Sequence, residues 1–190
     1  DAIAQLDDNL RSTVDFGRKL VAILQRHLFL YPMIRVRMTL EEKRLGYTVI
    51  EEKLSDLSPE LLRLHPEGKV PLLIHQGVAI HESSVITEYL EECFPSEPPL
   101  RPSTPLGRAR MRLWTQWCDA LFKPDLDAFK YDFEKLSAQE RLELVARLSG
   151  HLAKAEQALA VTPFLMGATL TLADIHVFQF YRQLQRARPD

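Results

Sequence analysis

A mixed α/β layer followed by an all-helical half is the architecture that this 190-residue chain predicts. Three observations carry it. Up to residue 93, short apolar and β-branched runs alternate with helical stripes. The stretch at 94–105 (FPSEPPLRPSTP) then holds five of the twelve prolines and reads as a linker. Beyond it every pattern is helical.

Residues 1–26 read as an extra N-terminal helix. Ile3, Leu6, Leu10, Val14, Leu20, Val21 and Leu24 form an approximate stripe. Gly17 weakens it by about 1 kcal/mol relative to alanine. His27 to Tyr31 (HLFLY) is expected to be a buried strand, ended by Pro32. Residues 33–45 read as a helix with Ile34, Val36, Met38, Leu40 and Leu45 inward and charges on the far side, stopped by Gly46. YTVIEEKL (47–54) is a strand by its β-branched content. Ser58 caps a short helix with Pro59 in its first turn. Strands at 70–74 and 78–81 are expected to form a hairpin through His75-Gln76-Gly77, since a parallel pair would need a crossover. Ser83 or Ser84 is expected to cap the next helix, and His75 and His81 to lie on the surface. In the second half, helices are expected over 104–131, 137–160 and 171–187, capped at Ser137 and Thr171, with a kink at Pro124.

The resulting order, β-α-β-α-β-β-α and then helices, is that of a thioredoxin-like layer joined to an all-α domain. The expected divisions are an extra helix at 1–26, the layer at 27–93, a linker at 94–103 and a helical domain at 104–190. Hydrophobic residues make up 46% and charged residues 26%, with a net charge of -2. No field of one sign points to nucleic acid or an anionic membrane. No apolar run is long enough to span a bilayer, and no targeting pattern stands at the N-terminus, so a cytoplasmic location is expected. The two cysteines, Cys93 and Cys118, form no CxxC and are expected to be reduced thiols. The six histidines show no metal-ligand spacing, and no metal is expected.

Three short stretches carry chemistry. A cis Val70-Pro71 bond would leave the backbone of Val70 facing outward, able to pair with an extended peptide; a trans proline on an edge strand is the other reading, and the residues leave both open. Glu82-Ser83-Ser84 begins a helix, where free N–H groups attract carboxylates and Glu82 could hold an ammonium; plain capping is the simpler reading. Lys69 could meet a second carboxylate or be a solvated surface lysine. Thr171 and Asp174 have the spacing of a capping box, a structural role.

VPLLI, the hairpin, HESSVITEYLEE, the proline linker and LMGATLTLADIHVF together resemble cytosolic glutathione S-transferases, over roughly Leu28 to the C-terminus. The resemblance implies that Pro71 is cis and that the Val70 backbone pairs with the cysteinyl part of glutathione. It also implies that Glu82 and Ser83 grip the γ-glutamyl end and that Lys69 lies near the other arm. Glutathione would be the co-substrate, a hydrophobic electrophile the second substrate, and a homodimer the assembly. The family pattern S-P-x-x-x-R-V-R becomes LFLYPMIRVR here, with no Ser or Cys and a loop expected to be short; Tyr31 is then the candidate for stabilising the thiolate. Arg112, Trp114, Gln116 and Trp117 are candidates for the electrophile site. The resemblance implies further helices where this chain stops, so a core flank is expected to be open, to be filled by residues 1–26 of this chain or of a neighbour, or by a protein partner engaged through them. The alternative function is a non-catalytic scaffold that kept the fold and lost the catalytic Ser/Cys loop.

Overall fold

A computed structural model describes residues 20–25, 31–53, 55–95 and 98–187, in two compact units, 1–95 and 96–190. The first unit is built on strands β1 (Leu20–Gln25), β2 (Tyr47–Glu52), β3 (Leu72–His75) and β4 (Val78–His81), in the spatial order β2-β1-β3-β4. β1 pairs parallel with β2 and antiparallel with β3, and β3 pairs antiparallel with β4. Helices α1 (Tyr31–Glu42), α2 (Pro59–Leu64) and α3 (Ser83–Cys93) complete it.

The strand period of two divides the core cleanly. Leu20, Ala22 and Leu73 face one way and pack with Met33, Val36 and Leu40 of α1 and Ile86 and Leu90 of α3. Val21, Ile23, Leu72 and Ile74 face the other way, against Leu61 of α2. Helices therefore cover both faces. The hairpin turn follows from Gln76 and Gly77, both at positive φ (52° and 75°), the backbone of a two-residue turn that matches strand twist.

Two sequence expectations need correction. Leu20–Gln25 is an inner strand, not the end of a helix over 1–26, and Tyr31 opens α1 instead of closing a strand at 27–31. LVAILQ is apolar on both sides because the strand is covered on both faces, and such a run mimics part of a helical stripe. Residues 1–19 and 26–30 lie outside the described residues, so the remainder of the expected helix and strand falls there. The thioredoxin-like layer thus begins before residue 27. With β1 ending at Gln25 and α1 starting at Tyr31, five residues lie between them in sequence, more than the short connection expected.

The second unit holds α4 (Pro105–Trp117), α5 (Lys123–Tyr131), α6 (Ala138–Leu159) and α7 (Leu172–Arg186). A π-helical turn, Cys118–Phe122, joins α4 to α5, and it stands one turn before Pro124, where a proline ring would otherwise clash with the preceding carbonyl. Phe122 is fully buried among Trp117, His151, Phe180 and Tyr181. Burial raises the Tyr181 hydroxyl above its usual range; it donates to the carbonyls of His151 (2.8 Å) and Leu152 (3.2 Å), tying α7 to α6. Ser137 caps α6 as expected and, with Glu140, forms a capping box there. Leu100 of the linker is buried, and its carbonyl accepts from Leu172 N–H at 2.8 Å, so that end of the linker is part of the helical unit. Among the described residues no helix is long and apolar enough to cross a membrane.

Candidate functional site

The sheet register brings the predicted residues together. Leu72 pairs with His81, so Val70–Pro71 enters the hairpin beside the point where Glu82–Ser83 leaves it. The Val70–Pro71 bond is cis. Pro71 is buried, Val70 half-buried and Lys69 exposed. The approach to this arm is fixed by Gly68 at φ 62°, where an added Cβ would stand 2.6 Å from Leu57.

On the other arm the cap of α3 is Glu82, not a serine, and its side chain makes no capping bond. Its backbone stands at φ 64° and ψ 116°, a region that residues with a Cβ seldom occupy. Such strain, about 1–3 kcal/mol, persists where the surroundings impose it and gathers at ligand-binding positions. Glu82 is exposed, whereas Ser83, the first helical residue, is only 6% exposed. The Glu82 carbonyl accepts from Ile86 N–H at 2.9 Å, closing the first turn. Geometry gives the N–H groups before it no partner within the helix. An α-helix start of this kind favours a carboxylate.

Beneath it lies a residue that sequence reasoning put on a solvated face. Arg35 of α1 is 2% exposed, and its guanidinium reaches the Ser83 hydroxyl at 3.5 Å. Two turns on, Lys43 Nζ meets Glu91 of α3 at 2.6 Å, both buried. Arg35, Thr39 and Lys43 are spaced by four residues, as are Ser83, Thr87 and Glu91, and all six are buried. Both bonded pairs have the same separation of 48 residues, so α1 and α3 run parallel with these two rows along a polar seam. The i, i+4 spacing in both sequences was the available signal.

Lys69 is paired with Glu67 at 2.5 Å, which holds the Glu67 carboxyl below and the Lys69 ammonium above their usual ranges. Both are 65% exposed, so the pair is easily redirected. Tyr31 is the first residue of α1. In the helical unit, Trp117 is buried against Phe122 and His151 and belongs to the core. Trp114 is half-buried under Lys154, and Arg112 and Gln116 are exposed. Thr171 and Asp174 hold the start of α7: the Asp174 carboxylate accepts from Thr171 N–H and O–H, both at 2.9 Å, and from Leu165 N–H at 2.7 Å. Among the described residues no three His, Cys, Asp or Glu side chains gather as metal ligands.

Relieving the strain separates stability from binding. Glu82→Gly is expected to leave the melting temperature level or slightly raised, since glycine accepts positive φ. Where Glu82 holds a ligand's ammonium group, the same change is expected to weaken binding by roughly tenfold or more, the scale of a lost charge-assisted bond. Thermal unfolding and calorimetry check the two halves.

Residues 32–99 match the family model described as glutathione S-transferase, N-terminal domain, and residues 121–190 that described as glutathione S-transferase, C-terminal domain. The chain is 33% identical over 153 residues to the probable glutathione S-transferase parC of Nicotiana tabacum, covering 78% of this chain and 66% of that protein. It is 32% identical over 161 residues to glutathione S-transferase 3 of Glycine max, covering 84% and 71%. Among solved structures it is similar to the tau-class glutathione S-transferase MiGSTU from mango, Mangifera indica, with a TM-score of 0.76 and 28% identity over 85% of this chain and 74% of that one. The chain thus spans about two thirds of the length of the curated relatives it matches.

Proposed function

Because this chain belongs to the glutathione S-transferase family, we propose that it binds glutathione between its two hairpin arms and adds the glutathione thiolate to an electrophilic small molecule. The observation that carries the reading is the start of α3, where Glu82 combines an exposed carboxylate with a strained backbone and the open helix end follows directly at Ser83. An amino-acid head group satisfies all three. Its carboxylate takes the helix N–H groups and the Ser83 hydroxyl, and its ammonium takes Glu82. The cysteinyl backbone pairs with Val70 as a short added strand, and Lys69 turns from Glu67 to the glycyl carboxylate.

Tyr31 is the proposed sulfur partner. Donation from its hydroxyl favours thiolate over thiol, lowering the thiol's pKa, and holding the nucleophile beside the electrophile supplies proximity. The second substrate in this reading is a hydrophobic electrophile, the assembly a homodimer and the location cytoplasmic. Calorimetry with glutathione, together with turnover of a generic aryl halide, is the test. Wild type is expected to bind and turn over. Tyr31→Phe is expected to keep its affinity and lose about a hundredfold in rate, as when one preorganised donor is removed. Wild-type protein that fails to bind would leave only the fold.

A second reading, glutathione binding without turnover, has one observation in its favour. The segment 26–31 (RHLFLY) contains neither serine nor cysteine. Binding with no turnover in wild type would select it.

A further inference from the structure

The helical unit holds a cavity of about 600 Å³ that the glutathione reading does not use. Its walls come from one face of each of two helices. Arg110, Leu113 and Trp114 of α4 stand at i, i+3 and i+4, and Lys154 and Gln157 of α6 at i and i+3. Leu165, in the loop between α6 and α7, also lines it, and Asp174 holds that loop through the Leu165 N–H at 2.7 Å. One wall is aromatic: Trp114 meets Trp117 edge-on, with ring centroids 5.4 Å apart. The volume, and a mostly apolar lining with a few polar groups, are those of a small-molecule site.

Charge selects the occupant. The lining holds two cations, Arg110 and Lys154, and no acidic residue. Among the described residues neither cation has a carboxylate or carbonyl partner, and the Gln157 amide has no hydrogen-bond partner. Other cations of this unit are paired: Arg147 with Asp125, Arg141 with Glu134 and Lys123 with Asp127. Lys154 Nζ instead rests over the rings of Trp117, at 4.0 Å, and Trp114, at 4.8 Å. Ring faces attract an ammonium but offer it no hydrogen-bond acceptor, and desolvation beside them lowers the Lys154 pKa below the usual lysine range. A neutral ring in the cavity would gain apolar contacts and leave both cations to water. A small inorganic anion would leave the apolar walls wet. We infer that the cavity is a second ligand site, for a planar aromatic anion of about two rings, its carboxylate or sulfonate taken by Arg110 and Lys154 and its ring by Trp114 and Leu113. The site lies within the helical unit alone, and its occupant needs no glutathione.

The test uses two probes of one shape: 8-anilinonaphthalene-1-sulfonate, and N-phenyl-1-naphthylamine, the same body without the sulfonate. Both tryptophans of the chain stand at this cavity, so quenching of their fluorescence follows its occupancy. Wild type is expected to bind the sulfonate with tryptophan quenching. Arg110 and Lys154 are exposed residues, so each charge contributes at the scale of a solvent-facing ion pair. Lys154→Met and Arg110→Met are each expected to weaken the sulfonate about fivefold, and the double variant roughly twentyfold. The neutral amine should stay within about twofold throughout, since methionine keeps the apolar contacts. Lys154→Arg, which retains the charge, should stay within about twofold of wild type for both probes. Thermal melting confirms that every variant is folded. A wild type that fails to bind the sulfonate, or binds it without quenching, would overturn the site. So would a double variant that loses less than about twofold, or loses both probes equally, because the cations would then play no part.

Discussion

Replacing Glu91 by alanine is expected to destabilise the first unit by about 3–5 kcal/mol, the cost of leaving a buried charge without its partner. Lys43 and Glu91 are 4% and 2% exposed and meet at 2.6 Å, so water cannot take over the carboxylate's place. Lys43→Ala should cost a similar amount from the other side. The double change Lys43→Met with Glu91→Leu should recover most of the loss, because an apolar pair of similar volume removes the desolvation of both ions. Both tryptophans of the chain, Trp114 and Trp117, lie in the helical unit. Hydrogen exchange of the β1 and β3 amides therefore reads the first unit more directly than fluorescence. A single-substitution loss below about 1 kcal/mol would mean that the pair behaves as a solvated one.

The second large effect is expected at Asp174. Its carboxylate accepts three hydrogen bonds, two from Thr171 and one from Leu165 N–H. Thr171 is 4% exposed, so Asp174→Ala strands donors that water reaches poorly. A bond to a charged group contributes about 1.5–3 kcal/mol and a cap about 1 kcal/mol, and the bonds are not additive, so a loss of about 3–4 kcal/mol is expected. Asp174→Asn should fall between, keeping an acceptor while losing the favourable charge at the helix start. Tryptophan fluorescence during urea unfolding follows this directly, since Trp117 packs against Phe122, which in turn meets Phe180 of α7. An unchanged midpoint in Asp174→Ala would show that the loop around Leu165 is held by other means.

Where a residue's role is local, the sequence was readable. Ser58 accepts from Leu61 N–H and starts α2, Ser137 and Glu140 box the start of α6, and Gln76-Gly77 turns the hairpin. That the two arms of the candidate site meet was legible for a related reason: VPLLI and HESS lie on either side of one short turn. What escaped depended on covering layers. LVAILQ becomes an inner strand only because α2 packs on one side and α1 and α3 on the other. His75, expected at the surface, is 3% exposed, with its ring nitrogen 2.7 Å from the Tyr89 hydroxyl of α3. Arg35 and Lys43 read as a solvated face because their counterparts, Ser83 and Glu91, are distant in sequence. A charge pattern on one helix cannot reveal that a second helix carries its complement.

The seam between α1 and α3 also acts as a vernier. Sliding α3 along α1 by four residues, about 6 Å at 1.5 Å per residue, would set Ser83 against Thr39 and deprive Lys43 of its carboxylate. Intermediate offsets align neither row. The helix can consequently rest at one axial setting, and that setting decides how far its first turn projects past the sheet. The depth at which an amino-acid head group would seat is thereby set by a bond two turns away, at Glu91, buried within the seam.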